Sequence, residues 1–325
     1  MRSIFNWAGV VLAGGLHAVT ALAQPQAYPS RPIRMVVPFS PGGATDVPGR
    51  ILAQKLSDQF GYQVVVDNRP GAGSIIGTEL VASAPPDGHT ILMTGTPFAI
   101  SPAIYRKLPY HPVKDFAPVS QFGSAPNTLV THPTLNVGTT QELIMLAKAQ
   151  PGKLDWASSG TGGAQHLFGA LFMSMAGVNA THIPYKGSGP ATADLLGGQV
   201  KIGFPGIAIA LPHHRAGRLR ALGVTGAQRS TQANDIPTLA ESGVAGYDAT
   251  LWLGIAAPKG TPLHIITRLH GEISRALRAP DVHKAFASAG TDVVTGTPDE
   301  FGALVEREIA KWGRVVREAG IASSG

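Results

Sequence analysis

Along the chain, short apolar runs alternate with amphipathic stretches, and turns rich in glycine or proline separate them. Ile33, Met35, Val37 and Phe39 fall on one face of a period-two pattern. This predicts a strand over 33–39 that ends at the turn SPGG. Asp46 then stands where an N-cap is expected and Pro48 falls in the first helical turn, with Val47, Ile51, Leu52 and Leu56 on the buried helix face. VVVDN (64–68) reads as a buried strand, Ile75, Ile76, Leu80 and Val81 as a helical stripe, and TILMTG (90–95) as a third strand. The pattern restarts at NTLVTH (127–132), and LDWASSG (154–160) is a strand ending in a second glycine loop, SSGTGGAQH. Leu167, Phe168, Leu171 and Met175 mark the helix after that loop, and THIPYKG, VKIGF and LRALGVTG supply further short strands. Thr139-x-x-Glu142 and Thr297-x-x-Glu300 have capping-box spacing, the second opening a helix with a stripe from Phe301 to Val316.

Strands alternating with helices predict an α/β fold with largely parallel sheets. The two glycine loops, near residues 42 and 160, lie in different halves of the chain. Two domains facing each other would bring both loops to one ligand in the cleft between them. A chain of 325 residues is long enough for two cores.

Composition changes the picture at the N-terminus. Arg2, an apolar run from Ile4 to Leu22 and the box Ala21-Leu22-Ala23 have the order of a secretory signal peptide over 1–23. Glycine and polar interruptions count against an uncleaved anchor, so a periplasmic location is expected. The chain has no cysteine, which removes disulfides and thiolate chemistry. Its net charge of +6 is scattered, without a basic tail, so no nucleic-acid partner is expected.

The loops lack the residues of several chemistries. PGGATD has no following lysine, so it is not a nucleotidase phosphate loop. GAGSIIG (71–77) has one residue too many before its last glycine for a dinucleotide fingerprint. No G-x-S-x-G elbow is present, although Ser158, Ser159 and His166 lie near each other and leave a Ser/His hydrolase as an alternative. The histidines show no metal spacing; His213 and His214 read as solvated loop residues, and no metal or cofactor is expected. What remains is backbone N–H groups and hydroxyls around Gly42, Gly43, Thr45, Ser158 and Thr161, which can neutralise a carboxylate without doing chemistry on it. Gly43 is the position where a Cβ is expected to block close approach or the turn itself.

Six blocks, including YPSRPIRMVVPFSPGGATDVPGR, WASSGTGGAQHL and HIPYKGSGPATADLLGGQV, occur in order from Tyr28 onward. Together they resemble the Bug-type extracytoplasmic receptors of tripartite tricarboxylate transporters. The resemblance implies a two-domain, type II periplasmic-binding-protein fold. One domain takes residues 24–125 with 249–325, and the other 126–248. It implies a monomeric, non-enzymatic receptor that passes a di- or tricarboxylate, acidic amino acid or aromatic acid to a membrane permease. A ligand-sensing partner of a two-component system is the other reading of such a body. By matched position the binding residues are Phe39, Gly42, Gly43, Thr45 and Asp46 in the first loop, and Ser158, Gly160, Thr161 and His166 in the second. Ser40, which with Pro41 departs from the family pattern in the specificity region, joins them, as do Ser74 and Thr96 at neighbouring loop ends. For Asp46, helix capping is the competing role.

If the box at 21–23 is cleaved, mass spectrometry of the exported protein should find Gln24 at its N-terminus. Retention of residues 1–23 in a membrane fraction would refute this.

Overall fold

The computed structural model describes residues 28–321; residues 1–23, expected to form a signal peptide, lie outside them. The first of two sheets holds β1 (Ile33–Val37), β2 (Val64–Asn68), β3 (Thr90–Gly95), β4 (Phe116–Pro126), β10 (Thr250–Pro258) and β11 (Asp292–Val293), in the order β11-β4-β10-β3-β1-β2. The second holds β5 (Thr128–Thr131), β6 (Asp155–Ser158), β7 (Thr181–Pro184), β8 (Ile202–Gly203) and β9 (Arg220–Val224), in the order β7-β6-β8-β5-β9. Between the strands run α1 (Asp46–Phe60), α2 (Ile75–Ala82), α3 (Thr96–Ile104), α4 (Thr140–Ala149), α5 (Ala164–Ala176), α6 (Ser188–Leu196) and α7 (Ile207–Arg215). Three more follow: α8 (Leu263–Leu277), α9 (Pro280–Ser288) and α10 (Pro298–Glu318).

Both sheets are mixed rather than largely parallel. β1 pairs in parallel with β2 and β3, but β10 runs antiparallel between β3 and β4. The reason is the path of the chain. It leaves the first sheet between Pro126 and Thr128, builds the second, and re-enters at Thr250 from the opposite direction. VVVDN is an edge strand with Val65 half-exposed, not a buried one. The longest strands, β4 and β10, carry no alternating pattern. FAPVSQFGSAP contains prolines that cannot donate to a ladder, and the register with β10 shifts twice, once beside Pro118.

One face of the first sheet packs on α1, α8 and α9. The other face packs on α2, α3 and α10, and α10 reaches across to α5 of the second sheet. Its start is fixed by the predicted capping box, with Thr297 and Glu300 each accepting the other's backbone N–H. At α4 the box is half-made: Thr139 accepts from Glu142 N, while the Glu142 carboxylate takes Gly138 N. Along α10, Phe301 fills the space that a Cβ at Gly254 of β10 would occupy, which explains a glycine in the middle of a core strand. The Trp312 ring stacks on Phe168 of α5 at 5.6 Å between centroids. The Trp312 indole donates to Glu308 at 2.7 Å, the Trp252 indole of β10 donates to the same oxygen at 3.3 Å, and Lys311 pairs with the other oxygen. Glu308 is thus a buried carboxylate with its partners supplied.

Trp312→Ala removes the ring stack and one of the indole donors to Glu308. We expect it to cost about 3–5 kcal/mol of stability, read from the urea midpoint. A change below about 1 kcal/mol would mean the two sheets do not depend on this contact.

Candidate functional site

A cleft of about 440 Å³ opens between the two sheets, a size typical of small-molecule sites. Phe39 and Ser40 beyond β1, Ser74 at the entry to α2, Ile100 and Ile104 of α3, and Thr161 before α5 stand on its wall. Among the described residues, no acidic, basic or histidine side chain lines it.

The wall on the first sheet's side is shaped by strained backbone. Ala72, Gly73 and Ser74 hold φ of 46°, 64° and 87° in succession, a region that residues with a Cβ avoid. Strain of this kind, of order 1–3 kcal/mol per residue, persists where the surroundings over-determine it and concentrates at ligand clamps. It turns Ser74 into the interior, only 4% exposed, where its Oγ has no hydrogen-bond partner. The Tyr105 hydroxyl lies over Gly73, 2.5 Å from where a Cβ would sit. No side chain caps α2; its Ile75 N–H is taken by the Ala72 carbonyl of the preceding turn.

The opposite wall is the loop Thr161–Gly163 and the uncapped start of α5. The loop is held from beneath. His166, buried in the first turn of α5, accepts the Gly162 N–H at Nδ1 (2.9 Å). Its ring stacks on His182 at 3.9 Å, and His182 lies against Trp156 at 4.4 Å. His182 Nε2 is 2.6 Å from Ser158 Oγ, which also receives the Gly160 N–H at 3.2 Å. Accepting at Nδ1 requires a neutral His166 ring. Burial, and then the neighbouring His182, push its pKa down to about 4. Burial also lowers that of His182.

The first glycine loop is arranged differently from the sequence expectation. Asp46 is the first residue of α1 rather than its N-cap, and Thr45 in the N-cap place makes no side-chain bond. The Asp46 carboxylate, 1% exposed, turns back to accept the Gly42 N–H at 2.8 Å, Arg50 Nε at 2.8 Å and Asn68 Nδ2 at 2.7 Å. Burial alone would raise its pKa; the bonds from Arg50, Asn68 and Gly42 outweigh this and hold it below the usual carboxylate range. The anion gathered by this loop is therefore the protein's own aspartate. Gly42, at φ 79°, is the glycine that the turn requires; Gly43 is exposed, and a Cβ there would meet only the Ser40 carbonyl at an ordinary 3.6 Å.

Of the expected residues, Phe39, Ser40, Ser74 and Thr161 share the cleft wall. Gly42, Gly43, Thr45 and Asp46 do not line it, and Gly160, Ser158 and His166 lie behind the second loop as its support. Thr96 is fully buried, its Oγ1 donating to Thr250 O and accepting from Trp252 N, which ties the end of β3 to β10. Ser158 bonds to His182 rather than His166 and is sealed from solvent, so no substrate reaches its Oγ. His213 and His214 sit in the last turn of α7, not in a loop. Sequence reasoning missed Ile100, Ile104 and Tyr105, because TPFAISPAI carries two prolines and no helical stripe; it missed His182 because a lone histidine in a short strand carries no motif.

The sequence profile of the tripartite tricarboxylate transporter family receptor matches residues 49–321. The chain belongs to this family. It is 42% identical to the protein BugT of Bordetella pertussis, over 93% of each chain. Among solved structures it is similar to Rpa4515 of R. palustris with adipate (36% identical, TM-score 0.79, covering 91% of this chain and 99% of that one). It is also similar to MatC of Rhodopseudomonas palustris with bound malate (31% identical, TM-score 0.75, covering 89% and 100%). The two-sheet α/β body with its intervening cleft is thus that of the periplasmic solute-binding proteins, and the chain is a Bug-type receptor by family.

The His166 site makes a pH prediction. Its folded pKa, about 4, lies below the ordinary 6.5, so the unfolded chain binds the proton first. The stability contributed by the neutral ring is complete above pH 6.5 and is lost as pH falls toward 4, by roughly 3 kcal/mol. His166→Asn keeps an acceptor for Gly162 but cannot titrate, so its unfolding free energy should fall less steeply than wild type over that window. Parallel curves for the two proteins would overturn the assignment.

Proposed function

We propose that this protein captures a small carboxylate in the cleft and delivers it from the periplasm to the membrane permease of a tripartite tricarboxylate transporter, without transforming it. The observation that carries the reading is the character of the wall. The uncapped start of α5, loop N–H groups and hydroxyls face a space that, among the described residues, no carboxylate, amine, guanidinium or imidazole lines. Groups of this kind bind an anion through partial charges and do no bond chemistry. The ligands named for two related structures, adipate and malate, are both carboxylates. The delivery step rests on family membership.

In this reading the protein acts as a monomer of two lobes, residues 24–125 with 249–325 and residues 126–248, which close on the ligand about the crossing segments as rigid bodies. The ligand contacts are Phe39, Ser40, Ser74 and Thr161 with the N–H groups beside them. Asp46, Thr96, Ser158 and His166 act one step back, by shaping the loops.

A hydrolase using Ser158 has one observation in its favour, the short bond to His182. Ester turnover separates the two readings. The receptor should give no product but should be stabilised in a thermal-shift panel of mono-, di- and tricarboxylates, by about 2.7 kcal/mol at 100 times Kd. Small-angle scattering with the best ligand should show a smaller radius of gyration. Product formation, or no stabilisation by any carboxylate, would refute the receptor.

A further inference from the structure

We propose that His182 is a positioning residue of the cleft. It takes the first proton that the buried histidine pair receives in acid, so that His166 stays neutral and keeps its hold on the loop Thr161–Gly163. A second proton, on His166, releases the loop and with it the ligand. The ligand clause rests on the receptor reading above; the state of the loop does not. Three observations lead to the assignment.

First, the two rings form one column without a counter-charge. Trp156 and His182 are register partners on β6 and β7, and α5 lays His166 against the same face. The imidazoles are 3.9 Å apart and within 6° of parallel. The Trp156 ring closes the column, filling the space that a Cβ at Gly169 of α5 would occupy, and Phe204 packs edge-on to the indole. No other residue of α5 is ionisable. On β6, Asp155 alternates to the opposite face from Trp156, and its carboxylate accepts the Lys201 N–H at 3.2 Å. Beyond β7, Tyr185 donates its hydroxyl to Asp194, and Lys186 is exposed. Charge on one ring therefore meets chiefly the other ring, and the pair takes up its protons in two separated steps.

Second, the two rings do not answer a proton alike. His166 Nδ1 accepts the Gly162 N–H at 2.9 Å, so the neutral ring carries its hydrogen on Nε2. A further proton can be added only at Nδ1, where it displaces Gly162. His182 instead faces a hydroxyl, Ser158 Oγ, at 2.6 Å from Nε2, and a hydroxyl accepts as readily as it donates. A charged His182 keeps this contact by donating. Ser158 then turns its own hydrogen to the Gly160 carbonyl, 3.3 Å away, and still receives the Gly160 N–H. The first proton costs the loop a hydrogen bond on His166 and none on His182.

Third, burial ranks the pair in the same order. His166 is 7% exposed, while His182 is only partly buried, so charge is less disfavoured on His182. Once charged, His182 repels the second proton and carries its uptake to lower pH. It shields the loop from mild acid.

NMR on the mature chain without ligand tests this. Ring nitrogen shifts give the order of protonation, and amide exchange follows Gly160 and Gly162 from neutral pH through the His166 transition. We expect His182 to titrate first with both amides still protected, and Gly162 to lose protection only as His166 titrates. In His182→Phe, which keeps a ring on the stack but cannot charge, the loss of Gly162 protection should move up by roughly half a pH unit or more. Ser158→Ala removes the contact of His182 with the loop but not its charge, and should leave that midpoint in place. A purely structural His182 would weaken protection at every pH without raising the midpoint. His166 titrating first, or a midpoint in His182→Phe that is unmoved or lower, overturns the proposal; should that variant not fold, the order of protonation in the wild type decides alone. Calorimetry with succinate, adipate and citrate tests the ligand clause. A probe that binds at neutral pH should bind at least tenfold more weakly below the His166 transition, after correction for its own ionisation. Unchanged affinity there overturns the release of ligand, whereas binding by none of the three at neutral pH counts against the receptor reading and leaves the loop to the NMR result.

Discussion

Much of this structure depends on one buried carboxylate. Glu308 sits in the apolar seam between the C-terminal helix and the first sheet, where an unpaired charge is strongly disfavoured. Two indoles and Lys311 answer it. Because the indoles come from β10 and from the helix itself, satisfying the charge fixes how α10 lies on the sheet. Trp312 is then held against Phe168, and Tyr247, at the end of the excursion through the second sheet, donates to the Phe168 carbonyl at 2.8 Å. The relative placement of the two sheets, and so the width of the cleft, follows from where α10 is allowed to sit.

The cleft obeys a complementary rule: charge is kept off its wall by being neutralised just behind it. Asp46 is consumed by Gly42, Arg50 and Asn68, and Asp67 by Arg34 and Arg69. On the second lobe the same place is taken by a neutral histidine pair on an indole. Each loop is rigidified by a group that does not itself reach the ligand space. That is the geometry of a preorganised site, in which ordering costs are met during folding rather than on binding.

How legible this was in the sequence depends on range. Period-two runs such as Ile33–Val37 and the stripe on α10 report burial directly, and the Thr297–Glu300 box reports a helix start, because their causes lie within a few residues. β4 and β10 were silent: their apolar residues face helices on both sides, and prolines and bulges break the alternation that would have announced them. The site was half-legible for the same reason. Phe39, Ser40, Ser74 and Thr161 follow from which loops end parallel strands. The choice between Gly42 and Gly43, and the inward turn of Asp46, depend on a partner 22 residues away, Asn68. His182 was invisible because its significance lies in a ring that stacks on it from another element.

The absence of acidic, basic and imidazole side chains from the cleft wall, among the described residues, has a further meaning. A receptor whose binding groups are amide N–H bonds and hydroxyls does not titrate across the pH range in which carboxylic acids do. Under the proposed function, affinity above the pH at which His166 takes a proton and releases Gly162 then follows the charge state of the solute. Over that range the capture curve against pH is a titration curve of the ligand, drawn by the protein.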